Sequence, residues 1–244
     1  MRIGVYIDGF NLYYGARDFC GRGKAGWRWL DLEALATNLI GRHQAWVGAN
    51  LEKLVYCTAA ISGVDNPVGH REQDVYLKAL QHRSTVTYIE YGQYVARVKK
   101  APLATEGKNF RPRLVRASRW PVKIQDKNQN PVPAAIFMVS YARREEKASD
   151  VNVASHLLID TLEGSIEGAI VICNDSDLRF PLAEARKRVP VGLVNPSPGV
   201  LAGRLRGKAT DGVGGHWWHQ LTAQDFSNHQ LPDPCGKYVK PGPW

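Results

Sequence analysis

Five short β-rich runs separated by helix-periodic segments set the strongest constraint on this chain. The runs are Arg2–Ile7, Leu54–Ala60, Thr85–Tyr91, Ala169–Cys173 and Val191–Val194, the last of them read as the final strand. Between them, Leu30–Ile40 repeats apolar residues at Leu32, Leu35, Ala36 and Leu39, Asp74–His82 reads as helical, and Asp177–Lys187 reads as a helix. In Asp150–Leu162 the spacing predicts that Val153, Leu157, Leu158 and Leu162 share one face. Asn11–Arg17 can begin a helix capped by Asn11. Strands that alternate with helices define an α/β fold with a mainly parallel sheet covered on both faces.

Two segments leave that rhythm. Residues 93–124 carry nine basic side chains (Arg97, Lys99, Lys100, Lys108, Arg111, Arg113, Arg116, Arg119 and Lys123) against one acid, Glu106. They read as an insertion or an extended hairpin, and the insertion is drawn at about 93–135. Residues 197–244 are rich in Pro and Gly and read as a peripheral wrap or tail, in which Trp217 and Trp218 either anchor the tail or form a contact in a homo-oligomer.

The formal net charge of +9 favours polyanionic partners. Phe110 and Trp120 stand among the arginines of the basic stretch. A single-stranded RNA groove built on Arg97, Lys99, Lys100, Arg111, Arg113, Arg116 and Arg119 is therefore expected, the plainer reading being a solvated ribbon. No apolar run approaches the length of a membrane span. The start MRIGVYIDGF has no signal-peptide pattern, and the four cysteines form no CxxC pair, so a reducing, cytoplasmic setting is expected. Gly21-Arg22-Gly23-Lys24-Ala25-Gly26 matches a dinucleotide string, but it follows a helix-like segment instead of a strand and reads as a loop. His216, His219, His229 and Cys235 fit no common zinc spacing.

Acids sit where an α/β sheet forms its sites, beyond the carboxyl ends of strands. Asp8 follows the first run, Asp175 and Asp177 follow the AIVIC run, and Asp150 opens a helix. Each alone reads as a turn or cap residue. Gathered together they would repel, two carboxylates about 4 Å apart by about 4 kcal/mol at an effective dielectric of 20, unless protons or a cation neutralise them. All-oxygen ligands suit Mg²⁺ or Mn²⁺, which can activate water toward a phosphodiester.

Asp8-Gly9-Phe10-Asn11, Lys147-Ala148-Ser149-Asp150 and Asn174-Asp175-Ser176-Asp177 occur in that order. In this they resemble the NYN domain, a PIN-like nuclease family, and within it the LabA-like or DUF88 subgroup. The resemblance covers residues 1–196 and implies a PIN-like Rossmannoid three-layer sandwich. It also implies a catalytic and metal-binding set of Asp8, Asp150, Asp175 and Asp177. Asn11 would orient a carboxylate or a metal-bound water, Ser176 and Asn174 would support the aspartate turn, and Lys147 would contact phosphate or stay solvated. The implied activity is a Mg²⁺- or Mn²⁺-dependent ribonuclease. Two other readings stand beside it. One is a nucleic-acid-binding NYN protein without turnover. The other is a small-molecule hydroxylase of the 6-hydroxy-3-succinoylpyridine type, a label carried by sequences that this one resembles; no flavin, haem or nicotinamide motif supports it.

Overall fold

The computed structural model describes residues 1–83, 86–119 and 123–244. In chain order the first half holds β1 (Arg2–Asp8), α1 (Gly9–Cys20), α2 (Leu32–Arg42), β2 (Asn50–Ala59), α3 (Pro67–His82), β3 (Tyr88–Pro102), β4 (Ala104–Glu106) and β5 (Pro112–Leu114). The second half holds β6 (Met138–Lys147), α4 (Ser149–Glu163), β7 (Gly168–Ile172), α5 (Arg179–Arg186), β8 (Val191–Asn195), α6 (Gly203–Arg206), β9 (Trp217–Gln220) and α7 (Ala223–Asn228). The chain divides into two compact units, one of residues 1–94 and 146–244, the other of residues 95–145.

The larger unit is α/β with a mostly parallel central sheet, in the strand order β3-β2-β1-β7-β8-β9. β1 pairs in parallel with both β2 and β7. From β1 the chain builds outward through β2 and β3, then returns to β1's other side and builds outward through β7, β8 and β9. The crevice between β1 and β7 is therefore the topological switch point, where sites form in open α/β sheets.

Burial on both faces explains the composition of these strands. β1 and β7 are buried along nearly their whole lengths, so they read as continuous apolar runs. The two-residue period sorts their side chains. Ile3, Val5, Ile7, Ile170 and Ile172 pack with Leu35 and Leu39 of α2, Leu80 of α3 and Phe226 of α7. Tyr6, Val55, Cys57, Val171 and Cys173 pack on the opposite face with Val153 and Leu157 of α4 and Leu182 of α5.

Several local expectations need correction. The cap of α1 is Asp8, whose side chain accepts from the Phe10 and Asn11 backbone N–H groups, so the helix starts two residues before Asn11. On α4, Leu162 is 64% exposed, and the buried face continues through Asp160 and Thr161 instead. Val191–Val194 is not the last strand, because β9 adds in parallel to β8. Trp217, at the start of β9, stacks on His43 and meets Trp46 edge-on, which makes it an anchor. The third strand is present from Tyr88, while Thr85 and Trp120 lie outside the described residues.

His216 of the tail is structural. His216 Nδ1 accepts from Val191 N at 3.0 Å and its Nε2 donates to the Asp211 carbonyl at 2.6 Å, the neutral tautomer. Burial first, and Arg186 nearby, hold its pKa below the ordinary histidine value. A depressed folded value means that this contribution to stability is complete above about pH 6.5 and is lost as the pH falls from there. The melting temperature is expected to drop between pH 7 and pH 5, and His216→Gln is expected to flatten that part of the curve.

In the smaller unit, β4 and β5 pair antiparallel. Among its described residues only Ala117 is buried.

Candidate active site

Asp8 is the last residue of β1, and the strand's alternation turns it toward the α4 face, beside Cys57 of β2 and Cys173 after β7. It is 3% exposed. One carboxylate oxygen, Oδ1, accepts the Phe10 and Asn11 backbone N–H groups at 3.0 Å each. The other accepts Asn11 Nδ2 at 2.6 Å and the Cys173 thiol at 3.3 Å. Burial raises the Asp8 pKa, while the hydrogen bonds from Asn11, Cys173 and Phe10 pull against it. Burial next to Asp8 also pushes the Cys173 and Cys57 thiols up, so both stay protonated at neutral pH.

The second rim is the turn after β7. Cys173 Sγ accepts from Asp175 N at 3.2 Å, and Asp175 Oδ1 accepts from Asp177 N at 3.0 Å. Asn174 N donates to Asn11 Oδ1 at 3.2 Å, so Asn11 ties this turn to Asp8. Asn174 then reaches outward: its Oδ1 accepts from Ala202 N and its Nδ2 donates to the Val200 carbonyl. Ser176 begins the 3-10 turn that carries Asp177.

The third rim is the start of α4. Ala148 has φ 83°, a left-handed conformation that costs a non-glycine residue about 1 kcal/mol. Glu146 Oε1 accepts from Ser149 N at 3.1 Å and from Ser149 Oγ at 2.7 Å, taking the place of a cap side chain. Asp150 lies in the first turn of α4, where a carboxylate meets the positive end of the helix dipole. Gly92 of β3 runs under this segment. A Cβ there would sit 2.4 Å from both Glu146 Oε1 and the Lys147 carbonyl. Gly92→Ala is expected to cost about 2 kcal/mol and to displace residues 146–148, read as a lower melting temperature together with weaker ligand binding.

These rims enclose an open cleft of about 480 Å³, lined by Asp8, Phe10, Asn11, Glu146, Lys147, Ala148, Asp150, Val151, Asp175 and Asp177. Every acid expected from the sequence is present there, with Asn11 and Lys147. Phe10, Glu146 and Cys173 were not among the expected site residues. Phe10 offers an aromatic wall, edge-on to Tyr94 at 5.6 Å and stacked on Tyr14 at 6.3 Å. The signals for Phe10 and Cys173 were present in the sequence: Phe10 lies between Asp8 and Asn11, and Cys173 has the strand phase of Asp8.

The fold is thus an α/β sheet with a polar cleft at its switch point. No protein-family model matches the chain, and no solved structure matches it. Among curated proteins it is similar to the 6-hydroxy-3-succinoylpyridine 3-monooxygenase HspA of Pseudomonas putida. The two are 28% identical over 266 aligned positions, which span the whole of this chain and 75% of that protein.

That similarity overturns the ribonuclease expectation, and with it the phosphodiester hydrolase activity and the Mg²⁺ or Mn²⁺ cofactor. The geometry supplies the physical reason. Among the described residues no group of three or more His, Cys, Asp or Glu side chains is placed to hold a metal ion, and Asp8, Asp150, Asp175 and Asp177 do not form one. Both Asp8 oxygens already accept hydrogen bonds, two of them from its own helix's N–H groups, and Asp175 caps its own turn. Among the described residues no helix is long and apolar enough to cross a membrane.

Proposed function

We propose that the chain is an enzyme that transfers one oxygen atom of O₂ to a small hydroxypyridine-type ring held in the β1/β7 cleft. The observation that carries this reading is the similarity, over the whole of this chain, to a monooxygenase named for such a substrate. The cleft supports it in size, since about 480 Å³ lies within the range of small-molecule sites. It also supports it in chemistry. Phe10 provides a face for a planar ring, and Asp8 Oδ2, whose weakest donor is the Cys173 thiol, accepts a ring hydroxyl or N–H in that thiol's place. Taking that proton enriches the ring in electrons, which favours its attack on an electrophilic oxygen. Asn11 and Cys173 hold the Asp8 carboxylate in place and, by their hydrogen bonds, keep it easier to ionise than burial alone would allow.

The reaction needs two electrons from a reduced donor, and the second oxygen atom leaves as water. The cleft does not fit a phosphate-bearing redox cofactor. Asp8, Glu146, Asp150, Asp175 and Asp177 would face its phosphates, and the Gly21–Gly26 string follows α1 instead of joining a strand to a helix. What this chain's residues do is bind the ring, orient it and hold its proton.

The framework itself is read as NYN-type, with a PIN-like sandwich. The support is that the motifs beginning at Asp8, Lys147 and Asn174, far apart in sequence, converge on one cleft.

Incubation with 6-hydroxy-3-succinoylpyridine, a reduced nicotinamide or flavin, and oxygen-18 gas is expected to give a product carrying one heavy oxygen. No label with any donor would contradict the reading. Turnover is expected to fall on the acid side as Asp8 is protonated, at a pH above the ordinary carboxylate range. Cys173→Ala removes one of the bonds that lower the Asp8 pKa, so that limb is expected to move to higher pH. Stability runs the other way. A raised folded pKa means the folded chain keeps a proton that the unfolded chain releases, and the resulting stabilisation fades as the pH rises through the folded value.

A further inference from the structure

The positive charge of this protein is not spread over it. Residues 95–145 hold 12 Lys and Arg against 3 Asp and Glu, a formal +9 that equals the net charge of the whole chain. The larger unit, with 20 basic and 20 acidic residues, is neutral. The small unit has almost no core of its own, so its basic side chains stand in solvent: Arg97, Lys100, Lys108, Arg111 and Arg113 are all exposed. Such a concentration of like charge is self-repelling unless a polyanion neutralises it.

The tip of the β4–β5 hairpin narrows the class of polyanion. Gly107 N donates to the Arg111 carbonyl at 2.8 Å and closes the turn. Within it Asn109 and Phe110 both have φ 57°, left-handed backbone in two successive non-glycine residues. The result is a phenylalanine 88% exposed, with Lys108 and Arg111 on either side and Arg113 further along the hairpin. Arg111 and Arg113 are two residues apart on extended backbone, the spacing that puts side chains on one face. An exposed aromatic ring flanked by cations is the arrangement that stacks a base while its neighbouring phosphates are paired.

We infer that residues 95–145 form a binding arm for single-stranded nucleic acid, with Phe110 as the stacking platform and Lys108, Arg111 and Arg113 as phosphate contacts. The arm binds without cleaving, and the inference is independent of the β1/β7 cleft and of the oxygenase reading. A membrane-inserting tip would present several apolar side chains together, whereas this turn presents one ring among cations.

The test is fluorescence anisotropy of the full chain with a labelled twelve-nucleotide single-stranded RNA, titrated at several salt concentrations. Saturable binding is expected, with log affinity falling against log salt at a slope of about −2 to −3, as for three or four phosphate contacts. Phe110→Ala is expected to weaken binding about tenfold. The triple variant Lys108→Glu, Arg111→Glu, Arg113→Glu is expected to abolish it. Because these side chains are exposed, both variants should melt like the wild type, and either should retain ligand binding in the cleft. Three results would overturn the inference: no saturable binding; unchanged affinity in Phe110→Ala together with equal binding to heparin, which has charge but no bases; or binding to phosphatidylglycerol vesicles with none to the RNA.

Discussion

Asp8→Asn is expected to lower turnover of a hydroxypyridine ring about a hundredfold, the usual scale for removing a positioned proton acceptor. The fold should survive. An asparagine oxygen can still accept the Phe10 and Asn11 N–H groups, so the cap of α1 persists. What is lost is the acceptor for Asn11 Nδ2 and for the Cys173 thiol, because the new amide presents a donor to both donors. That mismatch is expected to cost about 1 kcal/mol and a few degrees of melting temperature. Turnover traces and melting curves on the same preparation separate the two effects. A hundredfold loss with a small thermal shift assigns the carboxylate to the chemistry, whereas a parallel loss of both would reduce Asp8 to a cap.

The second large effect is structural. Asp160, 2% exposed on α4, accepts from the Tyr6 hydroxyl at 2.7 Å and pairs with Lys53 Nζ, joining α4 to β1 and β2 beneath the cleft. Burial first, then the bond to Asp160, pushes the Tyr6 pKa far above its ordinary value, so the hydroxyl keeps its proton and donates. Asp160→Ala strands that buried hydroxyl and leaves the Lys53 ammonium, itself one-fifth exposed, without its carboxylate. A destabilisation of about 3 kcal/mol is expected, below the upper range for breaking a buried pair because water reaches Lys53. For a chain of this size that corresponds to a melting temperature about 6 °C lower. Asp160→Asn keeps an acceptor for Tyr6 and is expected to lose about half as much. Since α4 carries Asp150 into the cleft at its other end, the alanine variant is also expected to bind ligand more weakly.

Much of the framework is legible in the sequence because a parallel sheet buried on both faces forces apolar runs, which β1, β2, β7 and β8 show, while β3 is marked by its β-branched and aromatic residues. β9 escaped because Trp217–Gln220 is four residues at the sheet's margin, two of them polar. The α1 boundary slipped because Asp8 and Asn11 are both good caps, and only the strand end decides between them. Leu162 is exposed because it lies nine residues from Val153, on the opposite side of the helix, whereas Leu157, Asp160 and Thr161 fall on Val153's own side and are buried.

The cleft was legible as a position, since acids at strand ends meet where the strand order reverses. Its chemistry was not. Spacing shows that carboxylates converge but not where their lone pairs point, and those of Asp8 are turned to its own helix and to Cys173. Strand-end acids serve many reactions on α/β folds, so the metal and phosphodiester chemistry did not follow from them. Glu146 is one of two adjacent acids ahead of α4, and nothing in the sequence marks it as a cap. Its role as the cap of Ser149 depends on the left-handed Ala148 between them, which no residue pattern announces.

The most direct test of the central claim is a titration of the full chain with 6-hydroxy-3-succinoylpyridine, followed by the ring's ultraviolet difference spectrum and repeated with Asp8→Asn. Saturable binding by the wild type, with a spectral shift toward the deprotonated ring that is absent in the variant, is the predicted result. No saturable binding, or an identical shift in Asp8→Asn, would contradict the assignment of the β1/β7 cleft as the ring's site.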